Sequence, residues 1–426
     1  MSHSSPERSA TAPGARLADY KTALTTPTAL PPVLLSVLAR LPIGMNSLAL
    51  LLYVRRATGS FATAGLVSAA ALVGVAVGSV IQGRIMDRHG PSRPLYVLAV
   101  LATLIVSTEV YAVESHAPDG VLVGLAFGIG LTGPAVGSAS RSLWVRLLPP
   151  GPVRQAAYAY EAISMEVFFI LGPGLAGLMS ALPLASTGLV VATGCTVVGG
   201  LGFALTPAVR RWRPAADQPR PASLLGALTS HGMRTLTLAG LGFGLTIGFI
   251  EVAVPAVATA AGRPEISGVL LSLMSISSVL FGVFYGTRPW PRSLQWRLPT
   301  LLAGFSVLAV LPAVPTTLFW LGATLLVTGM LITPQATAHS ATIDVVAPVG
   351  TTAEAFGWLI TAITLGLALG QSASGQLVES RGPSLSFLAA TLSGLIIAGL
   401  LWLFRRTLSG QPSAIPEPVS VSGRSD

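Results

Sequence analysis

Twelve long apolar runs, separated by short polar turns, constrain the fold of this chain more than any other feature of its sequence. Each run holds about 20 mostly uncharged residues, which is the length that an α-helix needs to cross a bilayer. Only 10% of the residues are charged, whereas soluble domains carry about 25%. The sequence therefore predicts an all-α membrane protein with twelve transmembrane helices. The runs lie at residues 30–54, 61–82, 94–113, 120–147, 155–181, 184–206, 236–260, 265–286, 298–314, 317–346, 351–378 and 384–404.

The positive charges are concentrated on one side of these runs. Counted from a cytoplasmic N-terminus, the outer connections hold only Arg55, Arg56, Arg263 and Arg381, and Arg40 lies within the first run. The other Lys and Arg residues lie in the tails and inner connections. The positive-inside rule therefore predicts cytoplasmic termini. We expect the protein in the cell (inner) membrane. Because the arginines are spread over many short loops, the net charge of +9 does not indicate a nucleic-acid partner.

A short polar stretch at residues 83–90 separates the second run from the third. It follows the pattern Gly-x-x-x-Asp-Arg-x-Gly, and we expect it to form a tight turn between two spans. The pattern resembles the loop motif that the major facilitator superfamily carries between its second and third transmembrane helices. The basic residues that end the family motif are displaced here to Arg93. The four matching residues are Gly83, Asp87, Arg88 and Gly90.

This resemblance implies the fold of that superfamily, in which twelve transmembrane helices form two pseudo-symmetric six-helix bundles. The sequence agrees, because Gly133-Pro134 in the fourth run has a counterpart in Thr333-Pro334 in the tenth. In such an arrangement the solute binds near the midplane between the two halves. We assign residues 1–29 to a disordered cytoplasmic tail, 30–206 to the first bundle, 207–234 to a cytoplasmic linker, 235–406 to the second bundle and 407–426 to a second cytoplasmic tail.

Seven polar or ionisable side chains inside the runs are candidates for substrate binding or proton coupling. An ionisable group within a bilayer is costly, so it usually faces a cavity or a partner. The alternative is a buried ion pair for Arg40 and Glu166, an interhelical hydrogen bond for Asn46 and neutral packing for His339. The seven residues are Arg40, Asn46, Arg141, Glu161, Glu166, Glu251 and His339.

Two of these carboxylates, Glu161 and Glu166, lie in the fifth run. Their spacing of five residues turns them about 140° apart on a helix, so they cannot serve the same face. We expect one of them to pair with Arg141 or Arg40 and the other to reach the central cavity. Glu166, at mid-depth, is our first choice for a protonatable site, and Glu251 is close behind it.

The end of the fifth run resembles the Gly-Pro-x-x-Gly-Gly motif on helix five of antiporters of the same superfamily, which implies export. The proline frees a backbone carbonyl group, and the small residues let a neighbouring helix approach closely. One departure is Gly124, which stands where the drug antiporters have an arginine, so Arg40 or Arg141 would have to replace it. The residues of this region are Gly172, Pro173, Gly174 and Gly177.

The loop motif also implies a gate at the cytoplasmic end. By resemblance, Asp87 would meet the beginning of the eleventh run near Thr351 and Thr352, where the helix dipole favours an anion. Arg88 would link to a carboxylate of the same half. Glu354 fits the first turn of the eleventh helix as a gate or capping carboxylate. The alternative for Asp87 and Arg88 is a solvated loop that carries only topological charge.

No catalytic pattern accompanies these features. The sequence lacks a His-Glu-x-x-His motif, a phosphate-binding loop and a Gly-x-Ser-x-Gly motif, so we expect neither enzymatic activity nor a cofactor. We predict a monomeric secondary active transporter that exports a small organic compound, a drug or a metabolite, by proton-coupled alternating access. Proton-coupled uptake of a small metabolite is the second hypothesis. A membrane sensor or scaffold without transport is the third.

Overall fold

The computed structural model describes residues 17–26, 28–149, 151–212, 226–286, 293–314, 317–348 and 351–409. Most of the two predicted tails and the middle of the predicted linker lie outside these ranges. Eight further side chains are not described, namely those of Leu17, Asp87, Val145, Gln155, Ala159, Ala162, Thr352 and Ala353.

All regular secondary structure in the described residues is helical, as the apolar runs predict. The α-helices are α1 Leu17–Thr25, α2 Leu30–Arg40, α3 Asn46–Thr58, α4 Phe61–His89, α5 Ser92–Glu114, α6 Asp119–Thr132, α7 Val136–Leu147, α8 Pro152–Ser180, α9 Thr187–Leu205, α10 Pro207–Arg210, α11 His231–Ala260, α12 Ser267–Gly286, α13 Leu294–Leu308, α14 Leu318–Gly329, α15 Ile332–Val346, α16 Thr352–Arg381 and α17 Pro383–Leu403.

Eleven helical stretches of the described chain are long and apolar enough to cross a membrane, and α1 with α2 forms a further pair bent by 97°. Three predicted runs are each built from two helices. The first run contains α2 and α3, the fourth contains α6 and α7, and the tenth contains α14 and α15. Pro42 and Pro134 lie at the first two breaks, where a residue without an N–H group interrupts the hydrogen-bond ladder.

The spans form two six-helix bundles, α2–α9 and α11–α17. In the first bundle α4 packs on α6 and α2 on α9, and in the second α11 packs on α16 and α17. The bundles meet along α4–α16 and along α8–α12. These two pairs are equivalent, because α4 and α12 are the second spans of their bundles and α8 and α16 are the fifth. The predicted pseudo-symmetric fold is confirmed.

The polar stretch at residues 83–90 is helical, which corrects the turn that we expected there. α4 continues to His89, and the chain reverses only at Gly90, whose φ of 76° favours glycine. No residue between the two glycines of the motif breaks a helix. The backbone hydrogen bonds of α4 therefore continue up to Gly90. A Cβ added at Gly90 would also lie 3.2 Å from the carbonyl oxygen of Trp212.

Residues 17–25, which we assigned to a disordered tail, form α1 instead. Ala23 is buried in a small cluster with Val33 and Trp144, and α1 packs against α8. This burial offsets the entropy of ordering the segment, and composition alone does not reveal it. At the other boundaries, α11 begins at His231 and Leu408 is buried, so the second bundle extends a few residues beyond 235–406.

Candidate functional site

Arg40 and Glu161 form a buried ion pair in the first bundle. Arg40 Nη1 donates to Glu161 Oε2, and both side chains are only 2% exposed. Ser140 Oγ and Trp144 Nε1 donate to the other carboxylate oxygen over 2.7 and 3.0 Å. Both oxygens are therefore satisfied, and the pair holds α2, α7 and α8 in one arrangement.

Arg141 is not part of this cluster. It is exposed on α7, and it forms no ion pair with a described residue. Ser140 and Trp144 are four residues apart and share the face of α7 that meets α8, whereas Arg141 is turned about 100° away from Ser140. Of the two partners considered for Glu161, the structure therefore selects Arg40.

A cavity of about 260 Å³ lies inside the first bundle, where its two broken spans meet. The α2–α3 break and the α6–α7 break form two of its walls, and α4 and α9 complete it. Arg40 and Asn46 line the cavity, and Ser47, Ser68 and Ser79 add hydroxyl groups. The Nε atom of Arg40 is buried and has no hydrogen-bond partner among the described residues. Such a lining can hold polar groups of a small organic molecule.

Gln82 on α4 holds the second of these breaks in shape. Its Nε2 donates to the carbonyl oxygens of Leu131 and Gly133 over 2.9 and 3.0 Å, and its Oε1 accepts from the backbone nitrogen of Ala135 over 2.8 Å. It therefore satisfies three backbone groups at a point where the bilayer offers no water. In the second bundle, the hydroxyl of Ser278 accepts from a backbone nitrogen in the first turn of α15 over 3.1 Å.

One amide group links this cavity to the second bundle. Gln371 on α16 is fully buried, and its Nε2 donates to Glu251 Oε2 over 2.6 Å and to Ser47 Oγ over 2.8 Å. Glu251 and Gln371 belong to the second bundle, whereas Ser47 lies on α3 of the first. The site therefore combines polar groups of both bundles beside Asn46.

Glu166 lies on a different face of α8 from Glu161, as their spacing predicts. It is partly exposed and forms no ion pair with a described residue. Ile170 and Pro173 follow it on the same face, and the carbonyl oxygen of Ile170 accepts from Ser272 Oγ on α12 over 2.6 Å. Glu166 therefore lies about one helical turn along α8 from this contact with the second bundle.

The helix-five motif brings α8 against the second bundle. A Cβ added at Gly268 of α12 would overlap the carbonyl oxygen of Pro173, and one added at Gly177 would lie 3.0 Å from the Cα atom of Gly268. Gly174 also faces α12, where an added Cβ would lie 3.4 Å from a serine hydroxyl. Gly172 faces the α2–α3 break instead, and its added Cβ would lie 2.5 Å from the backbone there.

The bundles are packed tightly at the end where α4 begins and α16 ends, which we call the closed end. Glu379 on α16 accepts hydrogen bonds from Ser60 Oγ and, over 2.8 Å, from the backbone nitrogen of Ala62. A carboxylate of the second bundle thus caps the N-terminus of α4. Further along, a Cβ added at Gly65 would lie 2.6 Å from the carbonyl oxygen of Gln371.

The packing between α4 and α16 is loose at the opposite end. A Cβ added at Gly83 or at Gly357 would meet no atom within 4 Å, and Ile360 is 57% exposed. Gly83 therefore makes no close contact with another helix in this arrangement. The basic residues predict that this open end faces the cytoplasm.

The other gating residues are distributed around this open end. The predicted contact of Asp87 with Thr352 involves side chains outside the described set. The neighbouring motif residue Arg88 is exposed and forms no ion pair with a described residue. Glu354 lies in the first turn of α16, as expected, and its Oε1 accepts from the backbone nitrogen of Ala227 over 3.0 Å. Glu354 therefore caps the turn that precedes α11.

His339 is enclosed within the second bundle. It is 1% exposed, its ring packs edge-on against Phe243 with centroids 5.6 Å apart, and its Nε2 lies 3.3 Å from Gln335 Nε2. Its Nδ1 has no hydrogen-bond partner in the described part of the chain. These contacts fit a packing role better than solute binding.

Four polar residues with notable contacts or burial were not among the predicted site residues. Gln82, Gln371 and Glu379 make the contacts given above, and Glu109 on α5 is fully buried with neither carboxylate oxygen hydrogen-bonded to a described residue. For Gln82, Glu109 and Gln371 the available signal was a polar side chain inside an apolar run, whereas Glu379 lies one residue beyond the eleventh run. No group of three or more His, Cys, Asp or Glu residues in the described ranges could hold a metal ion.

The fold and the site define a multi-pass, all-helical membrane protein in which two bundles enclose polar groups at their interface. A sequence profile described as Major Facilitator Superfamily matches residues 33–370, and the chain belongs to that family. Its members carry small molecules across lipid bilayers. No curated protein sequence gives a significant match to the chain.

Solved transporter structures share this fold at low sequence identity. The nucleoside transporter NupG (D323A mutant) has a TM-score of 0.72 and 14% identity over 88% of this chain and 99% of its own. A bacterial homologue of the human lysosomal transporter Spinster, inward-facing and unoccupied, has a TM-score of 0.66 and 13% identity over 93% and 100%. The human organic anion transporter MFSD10 has a TM-score of 0.58 and 16% identity over 90% and 99%.

Proposed function

We propose that this protein is a secondary active transporter that couples proton movement to the export of a small organic compound by alternating access. The observation that carries the proposal is the hydrogen-bonded set of Ser47, Gln371 and Glu251, in which one amide nitrogen donates both to an intramembrane carboxylate and to a hydroxyl group of the other bundle. Membership of a family of transporters supports transport itself.

Glu251 is the group to which we assign the proton. An intramembrane carboxylate needs a partner, and Gln371 supplies one while it also reaches Ser47 in the first bundle. An ionised carboxylate accepts a stronger hydrogen bond than a protonated one. Proton uptake therefore weakens the hydrogen bond between the Gln371 amide and Glu251. With it, the hydrogen bond from that amide to Ser47 across the interface weakens. Proton binding and opening of the closed end are thereby coupled.

We place the cargo in the cavity of the first bundle and along the interface towards Glu166. Ligand pockets usually measure about 300–1,000 Å³, so a cavity of about 260 Å³ holds a small compound or part of a larger one. Asn46, Ser47 and Ser79 offer hydrogen bonds there. The named cargoes of two structural relatives, nucleosides and organic anions, are small polar compounds and support this size class.

Alternating access is supported by the unequal packing of the two ends. Glu379 and Gly65 make contacts between α4 and α16 at the closed end, whereas Gly83 and Gly357 have free space at the other. This arrangement corresponds to a cavity that opens towards the predicted cytoplasm. The glycines of the helix-five motif favour export, and Gly124, in place of an arginine, leaves uptake as the alternative.

Proteoliposomes with an internal pH-sensitive dye test this function. Vesicles are loaded with a nucleoside or with an organic anion, acid is added outside, and cargo release and internal pH are followed together. We expect cargo release to accompany proton entry, and the proton signal to disappear in Glu251→Gln. Glu265→Gln, at the closed end, is the control. Proton entry that requires cargo outside the vesicles rather than inside would favour uptake, and equal proton signals in wild type and Glu251→Gln would overturn the coupling assignment.

A further inference from the structure

A second concave surface, of about 460 Å³, opens on the outside of the first bundle between α4, α5 and α6. We call it the lateral crevice. Its walls are almost entirely aliphatic, and Ile81 and Ile85 of α4 and Val97 and Leu101 of α5 are exposed along it. It is separate from the polar cavity inside the bundle. An apolar lining of this kind suits a hydrocarbon chain.

One end of the lateral crevice is positively charged. His89 ends α4 and Arg93 lies in the first turn of α5, and both line this end. Arg93 is exposed and forms no ion pair with a described residue. His89 uses Nδ1 to contact the carbonyl oxygen of Ile85 over 3.2 Å, so its Nε2 is free to face the crevice. Arg84 and Arg88 are exposed on the last turns of α4.

The length of the crevice matches one leaflet of a bilayer. From Arg93 to Leu101 it follows α5 for about 12 Å, at 1.5 Å per residue. Half of a hydrocarbon core measures about 15 Å. When the aliphatic walls lie in the hydrocarbon, the charged end therefore lies at the level of the headgroups. The distribution of basic residues places that end at the cytoplasmic surface.

We propose that the lateral crevice binds an anionic phospholipid, with one acyl chain along α5 and the headgroup phosphate between His89 and Arg93. Basic pockets between transmembrane helices on the cytoplasmic side attract anionic headgroups. Residues 83–93 carry three arginines and one aspartate, Asp87. This excess of positive charge favours a lipid with net negative charge over a zwitterionic one, whose ammonium group the arginines repel.

The lipid would contact a residue on which the transport cavity depends. Gln82 lines the lateral crevice, and its side chain holds the α6–α7 break that forms one wall of that cavity. A bound chain in the crevice therefore stabilises the packing around Gln82. This inference does not depend on proton coupling or on the direction of transport.

Lipid titration of the purified protein tests the proposal. Phosphatidylglycerol and phosphatidylcholine with identical chains are added in detergent, and thermal unfolding and native mass spectra are recorded. We expect phosphatidylglycerol to raise the unfolding temperature more and to remain bound as a single adduct. His89→Gln with Arg93→Gln should weaken this binding by about fivefold for each full charge removed. Val97→Trp, which fills the crevice without a change of charge, should also weaken it.

Exposed arginines elsewhere on the same predicted face provide the control. Arg210→Gln with Arg211→Gln removes two positive charges outside the crevice, and this variant should bind phosphatidylglycerol as the wild type does. Equal stabilisation by the two lipids, or equal weakening in the crevice pair and the control pair, would overturn the proposal. Stabilisation by inorganic phosphate alone to the same extent would also overturn it, because the acyl chain would then contribute nothing.

Discussion

Gln371 Nε2 on α16 lies 2.6 Å from Glu251 Oε2 on α11 and donates a hydrogen bond to it. The same nitrogen donates to Ser47 across the bundle interface, while the amide oxygen of Gln371 is left without a hydrogen-bond partner among the described residues. One amide nitrogen therefore joins a carboxylate of the second bundle to a hydroxyl group of the first.

Removing this amide should uncouple the protein without removing its carboxylate. Gln371→Leu leaves Glu251 without its donor, and an unsatisfied buried polar group costs about 1–3 kcal/mol. We expect cargo to cross under its own gradient while the response to an imposed pH gradient is lost. Both fluxes are measured in proteoliposomes. Gln376→Leu, at an exposed position of the same helix, should keep both. A normal pH response in Gln371→Leu would contradict the assignment.

The Arg40–Glu161 pair should behave as a structural unit. Arg40→Met or Glu161→Leu alone leaves an uncompensated buried charge, which costs about 3–5 kcal/mol. The double variant removes both charges, so we expect it to recover most of the lost stability. A double-mutant cycle on chemical or thermal unfolding in detergent measures the coupling. If the destabilisations of the two single variants added up in the double variant, Arg40 and Glu161 would not stabilise each other.

The close approach of α8 and α12 should tolerate no side chain at Gly268. A Cβ there would overlap the carbonyl oxygen of Pro173, and overpacking of this kind costs about 1–3 kcal/mol. We expect Gly268→Ala to lower the unfolding temperature and to slow transport. Gly194→Ala on α9 is the matched control, because a Cβ at Gly194 meets no atom within 4 Å. Equal stability of the two variants would mean that the bundles are not packed tightly at the closed end.

Removing the carboxylate of Glu379 and removing that of Asp87 should shift the population of the open outer end in opposite directions. Glu379 caps α4 at the closed end, and the sequence predicts that Asp87 meets α16 at the other end. Glu379→Ala should shift the population towards an open outer end by about two- to fivefold, the range for an anion at an exposed helix N-terminus. Asp87→Asn should shift it the other way.

Distances between spin labels at each end of the two helices measure these populations. Glu265→Ala, at the closed end and paired with Arg263, is the control for the loss of a carboxylate. Identical shifts in the Glu379 and Asp87 variants would contradict the opposition of the two ends.

The sequence predicted the parts of this site that depend on spacing along one helix. The different faces of Glu161 and Glu166 follow from the helical period, and the close approach of a neighbouring helix follows from the small residues around Pro173. The partner of Glu161 and the role of Gln371 did not follow. Both depend on how separate helices are rotated against each other, and an isolated apolar run contains little information on its own rotation.

The sequence by itself determined that the chain is helical and membrane-embedded and that it consists of two related halves. Length, apolarity and charge distribution act locally, and a bilayer permits few other solutions for such runs. Only the tertiary structure decided that Arg40 is locked to Glu161, that Gln371 joins Ser47 to Glu251, and that the end with Glu379 is closed. These contacts join residues more than a hundred positions apart, and packing between helices determines which of them form.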